Sequence, residues 1–202
     1  MSSYQPDSPD DHLDFQLLTQ AAFEPQFDAV VSGYLHEGHA ELMRLCGDDS
    51  LVRVRSFGLE TPWIYRLDFR TRGLAKGADG RIVSAERHSI VLQFTPDCLL
   101  HPDPYQMLQY MAPKDPAPYH PNISPINGAI CLKIVHGESV VDVVSSLHDL
   151  LRWRIRNLRE DDALNREACI YGRTFVEQPL DDRPLFGGTL WTLQLEPAEA
   201  TR

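Results

Sequence analysis

Apolar residues between Phe27 and Cys46 fall at near-helical spacing: Val30, Val31, Tyr34, Leu35, Leu42 and Leu45, with Gly47-Asp48-Asp49 as the stop. This predicts a helix, weakened in its middle by Gly33 and Gly38. The period then changes to two. Tyr65, Leu67 and Phe69 alternate with Arg66, Asp68 and Arg70, the mark of a half-buried strand within residues 63–72. Ile90, Leu92 and Phe94 predict another strand, and residues 53–57 a weaker one before both. With a turn at Gly73 to Gly80, these three strands read as an antiparallel meander. Residues 95–121 carry prolines at 96, 102, 104, 113, 116, 118 and 121 and read as an irregular loop. The clearest periodicity follows: Val140, Val144, Leu147, Leu151, Ile155 and Leu158 recur at helical steps, with Ser139 and Asp142 as an N-terminal capping pair. Arg152, Arg154, Arg156 and Arg159 then fall at the C-terminal end, where the helix dipole favours cations. A short helix is predicted near Asn165 to Tyr171, and a strand candidate at Leu190 to Leu195. Helix, strands, irregular segment and helix together give an α+β fold.

Length and composition narrow the class. The chain has 202 residues, 43% of them hydrophobic, enough for one domain with a real core. Lys and Arg number 19 against 29 Asp and Glu, a net charge of −10 that opposes general binding to nucleic acid or to anionic membrane. No apolar run is long enough for a membrane span. Residues 1–14 are rich in Pro, Ser and Asp and read as a disordered acidic tail; they lack the basic and apolar regions of a secretory signal. Residues 15–175 then form the domain and 176–202 a C-terminal extension. Cysteines stand at 46, 98, 131 and 169 with no Cys-x-x-Cys pair, so reduced thiols in a cytoplasmic protein are expected.

Common catalytic motifs are missing. No phosphate-cradling loop occurs, and His36-Glu37-Gly38-His39 lacks the spacing of a zinc protease helix, so both histidines are expected to face solvent. No metal site and no cofactor are expected. One segment stands apart: Tyr119-His120-Pro121-Asn122-Ile123-Ser124-Pro125-Ile126-Asn127-Gly128-Ala129-Ile130-Cys131-Leu132. It resembles the signature of the ubiquitin-conjugating enzymes, His-Pro-Asn followed by Gly-x-Ile-Cys-Leu. Asp161-Asp162-Ala163-Leu164-Asn165-Arg166-Glu167-Ala168 is similar to that family's Asp-Asp-Pro-Leu-Asn-x-Glu-Ala. The resemblance covers roughly residues 25 to 172, with specific motifs from 119 to 171.

The resemblance implies the family's fold, an antiparallel meander flanked by an N-terminal helix and a long central helix. It also implies a transferase that takes a ubiquitin-like protein from an activating enzyme onto Cys131 and passes it to an amine on a protein substrate. A thiolate both attacks and leaves acyl carbon well, which suits a thioester carrier. Asn122 would stabilise the oxyanion and brace its loop, and Asp162 would orient or deprotonate the incoming lysine. His120, Pro121 and Gly128 are structural members of the motif, and Cys46, Cys98 and Cys169 read as buried hydrophobes.

The chain departs from the family in several places. The interval from Asn122 to Cys131 is one residue longer, with Pro125-Ile126 in its turn, which could shift the amide relative to the sulfur. Lys133 stands where the family commonly has Asp, placing near the site a cation that would repel a lysine nucleophile. A Trp-Ser-Pro loop is absent, Leu99-Leu100 replace aromatic and proline residues, and Arg44 is the only basic residue of the 27–46 helix. These changes affect surfaces that meet ligases and the activating enzyme. The divergence is similar to bacterial relatives in antiphage operons. A non-catalytic binding module of the same fold is the alternative, and an unrelated cysteine hydrolase a weaker one.

Overall fold

The structure, a computed structural model, describes residues 9–111 and 116–187, with side chains from residue 13 onward. The expected strand at 190–195 and the ends of both expected tails lie outside the described residues.

The protein is α+β. Strands β1 (Val52–Phe57), β2 (Ile64–Phe69), β5 (His88–Gln93) and β6 (Leu108–Tyr110) form an antiparallel sheet in that order. The meander is interrupted, however. Between β2 and β5 the chain makes a hairpin, β3 (Gly73–Lys76) and β4 (Ile82–Ala85), which joins β7 (Ala117–Pro118) in a second sheet. The expected turn at residues 73–80 is therefore half strand. Its real reversal is at Gly77–Gly80, where Gly80 has φ +79° and its N–H donates to Gly77 O at 2.9 Å. Four-residue strands carry too little alternation to be recognised.

Helix α2 (Ala29–Leu45) starts at Asp28, whose carboxylate accepts from the Val30 and Val31 N–H groups at 2.9 and 2.8 Å. Its buried stripe is Val31, Leu35, Gly38 and Leu42, while Val30 is exposed. Gly38 is where α2 meets α4 (Val140–Leu151): a Cβ there would lie 2.4 Å from Val140 Cγ2. His36 is exposed as expected, but His39 is half-buried beside Tyr65, with ring centroids 6.0 Å apart. Both helices pack on the sheet face that carries Tyr65, Phe69 and Leu92; the Tyr34–Phe94 and Phe69–His148 ring pairs lie there.

The opposite face is covered too. Helix α1 (Pro9–Ala21) takes in residues 9–14 of the expected disordered tail. Its sequence looked like a tail because it opens on Pro and Asp. Proline at the first helical position and acids in the first turn are, however, what a helix start prefers. Leu17 and Ala21 are buried, Gln20 donates to Gln93 at 2.7 Å, and Asp14 pairs with Arg66 at 3.1 Å and with Arg55. Arg66 is 2% exposed and also meets Asp68 at 3.1 Å. A buried guanidinium is tolerable only with such partners.

Two further boundaries moved. Helix α4 stops at Leu151, seven residues before the end of its apolar pattern, because Trp153 takes a left-handed conformation with φ 69°. Trp153 N donates to Leu150 O at 2.9 Å and Arg154 N to Asp149 O at 2.8 Å, the bond pair of a Schellman ending that usually carries Gly. A bulky residue there costs about 1–2 kcal/mol. Burying the indole completely offsets that cost, since a large apolar side chain gains about 1.5–3 kcal/mol. The segment after α5 (Arg166–Phe175), expected to lie outside the domain, packs into it: Leu185 is buried and its carbonyl accepts from Leu51 N at 2.8 Å. No described helix is long and apolar enough to cross a membrane.

Two outcomes follow from packing and burial. Gly38→Ala should destabilise the protein by about 1–3 kcal/mol through the Val140 clash. Gly33→Ala, with nothing within 4 Å, should stabilise it by up to about 1 kcal/mol; urea midpoints of the two variants decide. Second, burial pushes the imidazoles of His88, His120 and His148 down to about 4, 3 and 4. Unfolded histidines take a proton near pH ~6.5, so below that pH the unfolded state binds more protons. Stability should therefore fall as pH drops from ~6.5 toward ~4, by a few kcal/mol over the first ~1.5 units. A urea midpoint that does not move on acidification through this window would contradict the burial of these rings.

Candidate active site around Cys131

The segment from His120 to Cys131 folds into a braced turn. Ile123 bridges Ile130, and Gln109 of β6 bridges Ala129. Ser124 N donates to Ala129 O at 2.9 Å, and Gly128 N to Ser124 O at 3.0 Å. Gly128 has φ +73°. A Cβ there would come within 2.3 Å of Tyr110 O, while Tyr110 N donates to Gly128 O at 2.8 Å. Only glycine lets the turn lie this close to the sheet edge. Pro125 and Ile126, where the extra residue falls, sit at the exposed tip, with Ile126 91% exposed. The longer interval is absorbed there, and Cys131 N still donates to Asn122 O at 2.8 Å.

Asn122 is buried, and both ends of its carboxamide are used. Nδ2 donates to Cys131 O at 2.8 Å, and Oδ1 accepts from Asn157 N at 2.7 Å. The amide thus meets the backbone carbonyl of Cys131 and braces the turn. His120 is 2% exposed, and its Nδ1 accepts from Asn122 N at 3.1 Å. Its ring lies edge-on to Trp153, centroids 4.9 Å apart, so the indole that ends α4 supports the motif directly. A buried imidazole held neutral to about pH 3, chiefly by desolvation, is a structural group. Pro121 is buried, and its carbonyl accepts from Asn165 N at 3.2 Å. Asn165 in turn caps α5 by accepting from Ala168 N at 3.1 Å.

Cys131 itself is partly exposed. Cys98 and Cys169 are buried, and burial raises the thiols of Cys46, Cys98 and Cys169, that of Cys98 to about 11. Lys133 is exposed two residues beyond Cys131. Asp162 is not brought into contact with Cys131 by any described hydrogen bond or ion pair. It pairs with Arg159 at 3.3 Å on an exposed loop, and Asp161 pairs with the same guanidinium at 3.1 Å. That loop is tied to the site through Asn157.

Sequence reasoning missed Asn157, which contributes its backbone N–H, because a main-chain donor leaves no mark in residue type. It also missed the four-residue helix α3 (Pro104–Met107), although a local signal existed in Asp103-Pro104, a cap followed by Pro at the first helical position. Among the described residues no group of three or more His, Cys, Asp or Glu is arranged to hold a metal ion.

No protein-family model matches this chain, and no curated protein is significantly similar to it.

Removing the brace should be costly. Asn122→Ala leaves the part-buried Asn157 N–H and Cys131 carbonyl without this partner, for an expected loss of about 1–3 kcal/mol in urea unfolding. A loss under about 0.5 kcal/mol would mean that the carboxamide braces nothing.

Proposed function

We propose that this chain is a ubiquitin-conjugating-enzyme-like transferase with Cys131 as its acyl carrier. The observation that carries the reading is that the one cysteine inside the His120-Pro121-Asn122…Cys131 motif is partly exposed and held by Asn122, whose side-chain amide donates to its carbonyl and whose backbone carbonyl accepts from its N–H. An antiparallel sheet packed against α2 and α4, followed by an irregular segment and then the motif, is also compatible with that family's fold.

In this reading the Cys131 sulfur attacks the thioester that joins a ubiquitin-like protein to its activating enzyme. A new C–S bond forms and the activating enzyme's thiolate departs. An amine on the target protein then attacks the same carbonyl; the C–N bond forms, the C–S bond breaks with its electron pair on sulfur, and the amine proton passes to solvent. The free Nδ2 hydrogen of Asn122 would face the developing oxyanion. Asp162 would receive the lysine by exchanging Arg159 for it, since an exposed ion pair is worth little. The activating enzyme, the ubiquitin-like protein and the protein substrate are its expected partners. A cytoplasmic bacterial defence system is the setting the resemblance suggests.

The test combines the protein with its activating enzyme, the ubiquitin-like partner and ATP, followed by a non-reducing gel. A thiol-sensitive band should form with the native protein and be absent with Cys131→Ala. If an activating enzyme shown to be charged yields no such band, the transferase reading fails and the non-catalytic binding module takes its place.

A further inference from the structure

The chain has a net charge of −10, yet arginines gather on one face of its main sheet. Arg53 and Arg55 of β1, Arg66 of β2, Arg70 just past β2 and Arg87 just before β5 line one open hollow of about 390 Å³, together with Asp68. Register explains the gathering. Arg53, Asp68 and Ser89 form one row across the strands, and Arg55, Arg66 and Val91 form the next row on the same face. Side chains two apart on a strand share a face, so Arg70 and Arg87 extend that side beyond Asp68 and Ser89.

The two carboxylates at the hollow are already engaged. Asp68 accepts from Arg55 at 2.9 Å, from Arg66 at 3.1 Å and from the Ser89 hydroxyl at 2.5 Å. Asp14, reaching in from α1, pairs with Arg66 at 3.1 Å and with Arg55. Two guanidiniums and two carboxylates thus neutralise one another, and Arg66 is buried among them. Arg53, Arg70 and Arg87 are different: all three are exposed, and their guanidiniums make no hydrogen bond or ion pair among the described residues. Glu86, next to Arg87, pairs instead with Arg72 at 3.3 Å. Asp181 pairs with Arg183, whose guanidinium also donates to the Arg70 carbonyl at 3.3 Å. Three uncompensated cations therefore share one hollow in an acidic molecule.

Like charges held together favour an anion between them. The geometry points to a binding site for a chain of phosphates, either the triphosphate of a nucleotide or an inorganic polyphosphate. A guanidinium presents paired N–H groups that take phosphate oxygens two at a time. Three such forks rise from adjacent strands, which lie ~4.8 Å apart, a spacing that side chains as long as arginine can close around a small ligand. A lone carboxylate carries too little charge to answer all three, whereas a phosphate chain concentrates several negative charges in a small volume. The site shares no residue with the Cys131 turn, and its existence does not rest on the transferase reading.

Isothermal calorimetry of the full chain at constant ionic strength tests it, with inorganic triphosphate as the probe. Triphosphate should bind at least about tenfold more tightly than sulfate. Arg53→Gln, Arg70→Gln and Arg87→Gln should each weaken it by about tenfold, the order expected for one charged hydrogen-bonding group. Arg81→Gln, in the β3–β4 turn and paired with Asp79, should leave it unchanged. The three site positions are exposed, so these variants should keep the native urea midpoint. ATP without magnesium distinguishes the two sources. Affinity equal to that of triphosphate means that phosphates alone are read, and tighter binding means that the rest of a nucleotide is held as well; both uphold the site. Triphosphate binding no tighter than sulfate, or unchanged in all three variants, overturns the proposal. Tighter binding of a polyglutamate peptide than of triphosphate also overturns it, and makes the hollow a docking place for acidic protein.

Discussion

The carboxamide of Asn122 joins the two ends of one turn, its own residue and the one that carries the sulfur, to the loop that follows the central helix. Each end of the group bonds to main chain in a part-buried place, where losing a partner is costly. The position of Cys131 relative to the loop bearing Asp161 and Asp162 is therefore set by one side chain with two short bonds. His120 supports it from below through Asn122 N, and Trp153 supports His120. The arrangement is a stack of dependencies running from the end of α4 to the sulfur.

This places unusual weight on how α4 ends. Had the helix continued through its apolar pattern to Leu158, Asn157 would sit in a helical turn with its N–H committed to the carbonyl four residues back. The left-handed step at Trp153 frees that N–H for Asn122 and swings the indole under the motif. Gly172 of α5 completes the niche, since a Cβ there would lie 2.5 Å from the Trp153 ring. A strained residue in the backbone and a glycine on a neighbouring helix thus serve one purpose, to seat a large ring beneath a catalytic-type turn.

What could be read from residues alone was the α+β class, the central helix with its Ser139 cap and the two best strands. Each of these has a periodicity or a motif several residues long. What could not be read has equally physical causes. The β3–β4 hairpin is too short to alternate. Helix α4 looked longer because apolar spacing continues past Leu151, where Ile155 packs on the core from a non-helical path. Helix α1 was hidden by acidic and proline residues that, at a helix start, are favourable. At the site, residue type pointed to Asn122 but not to which oxygen its amide would meet, because that depends on where a ten-residue turn closes.

The docking of α1 bears on how this molecule can be handled. Register places Phe57, Ile64 and Gln93 in one row across the sheet, and Arg55, Arg66 and Val91 in the next, all on the side that α1 covers. Shortened versions beginning after Ala21 would bare the apolar Phe57, Ile64 and Val91 on this side and take away the carboxylate that Asp14 lends to Arg66. Such truncations invite self-association for reasons unrelated to the chemistry of the sulfur. Fusion partners and labels joined ahead of residue 9 leave this covering intact.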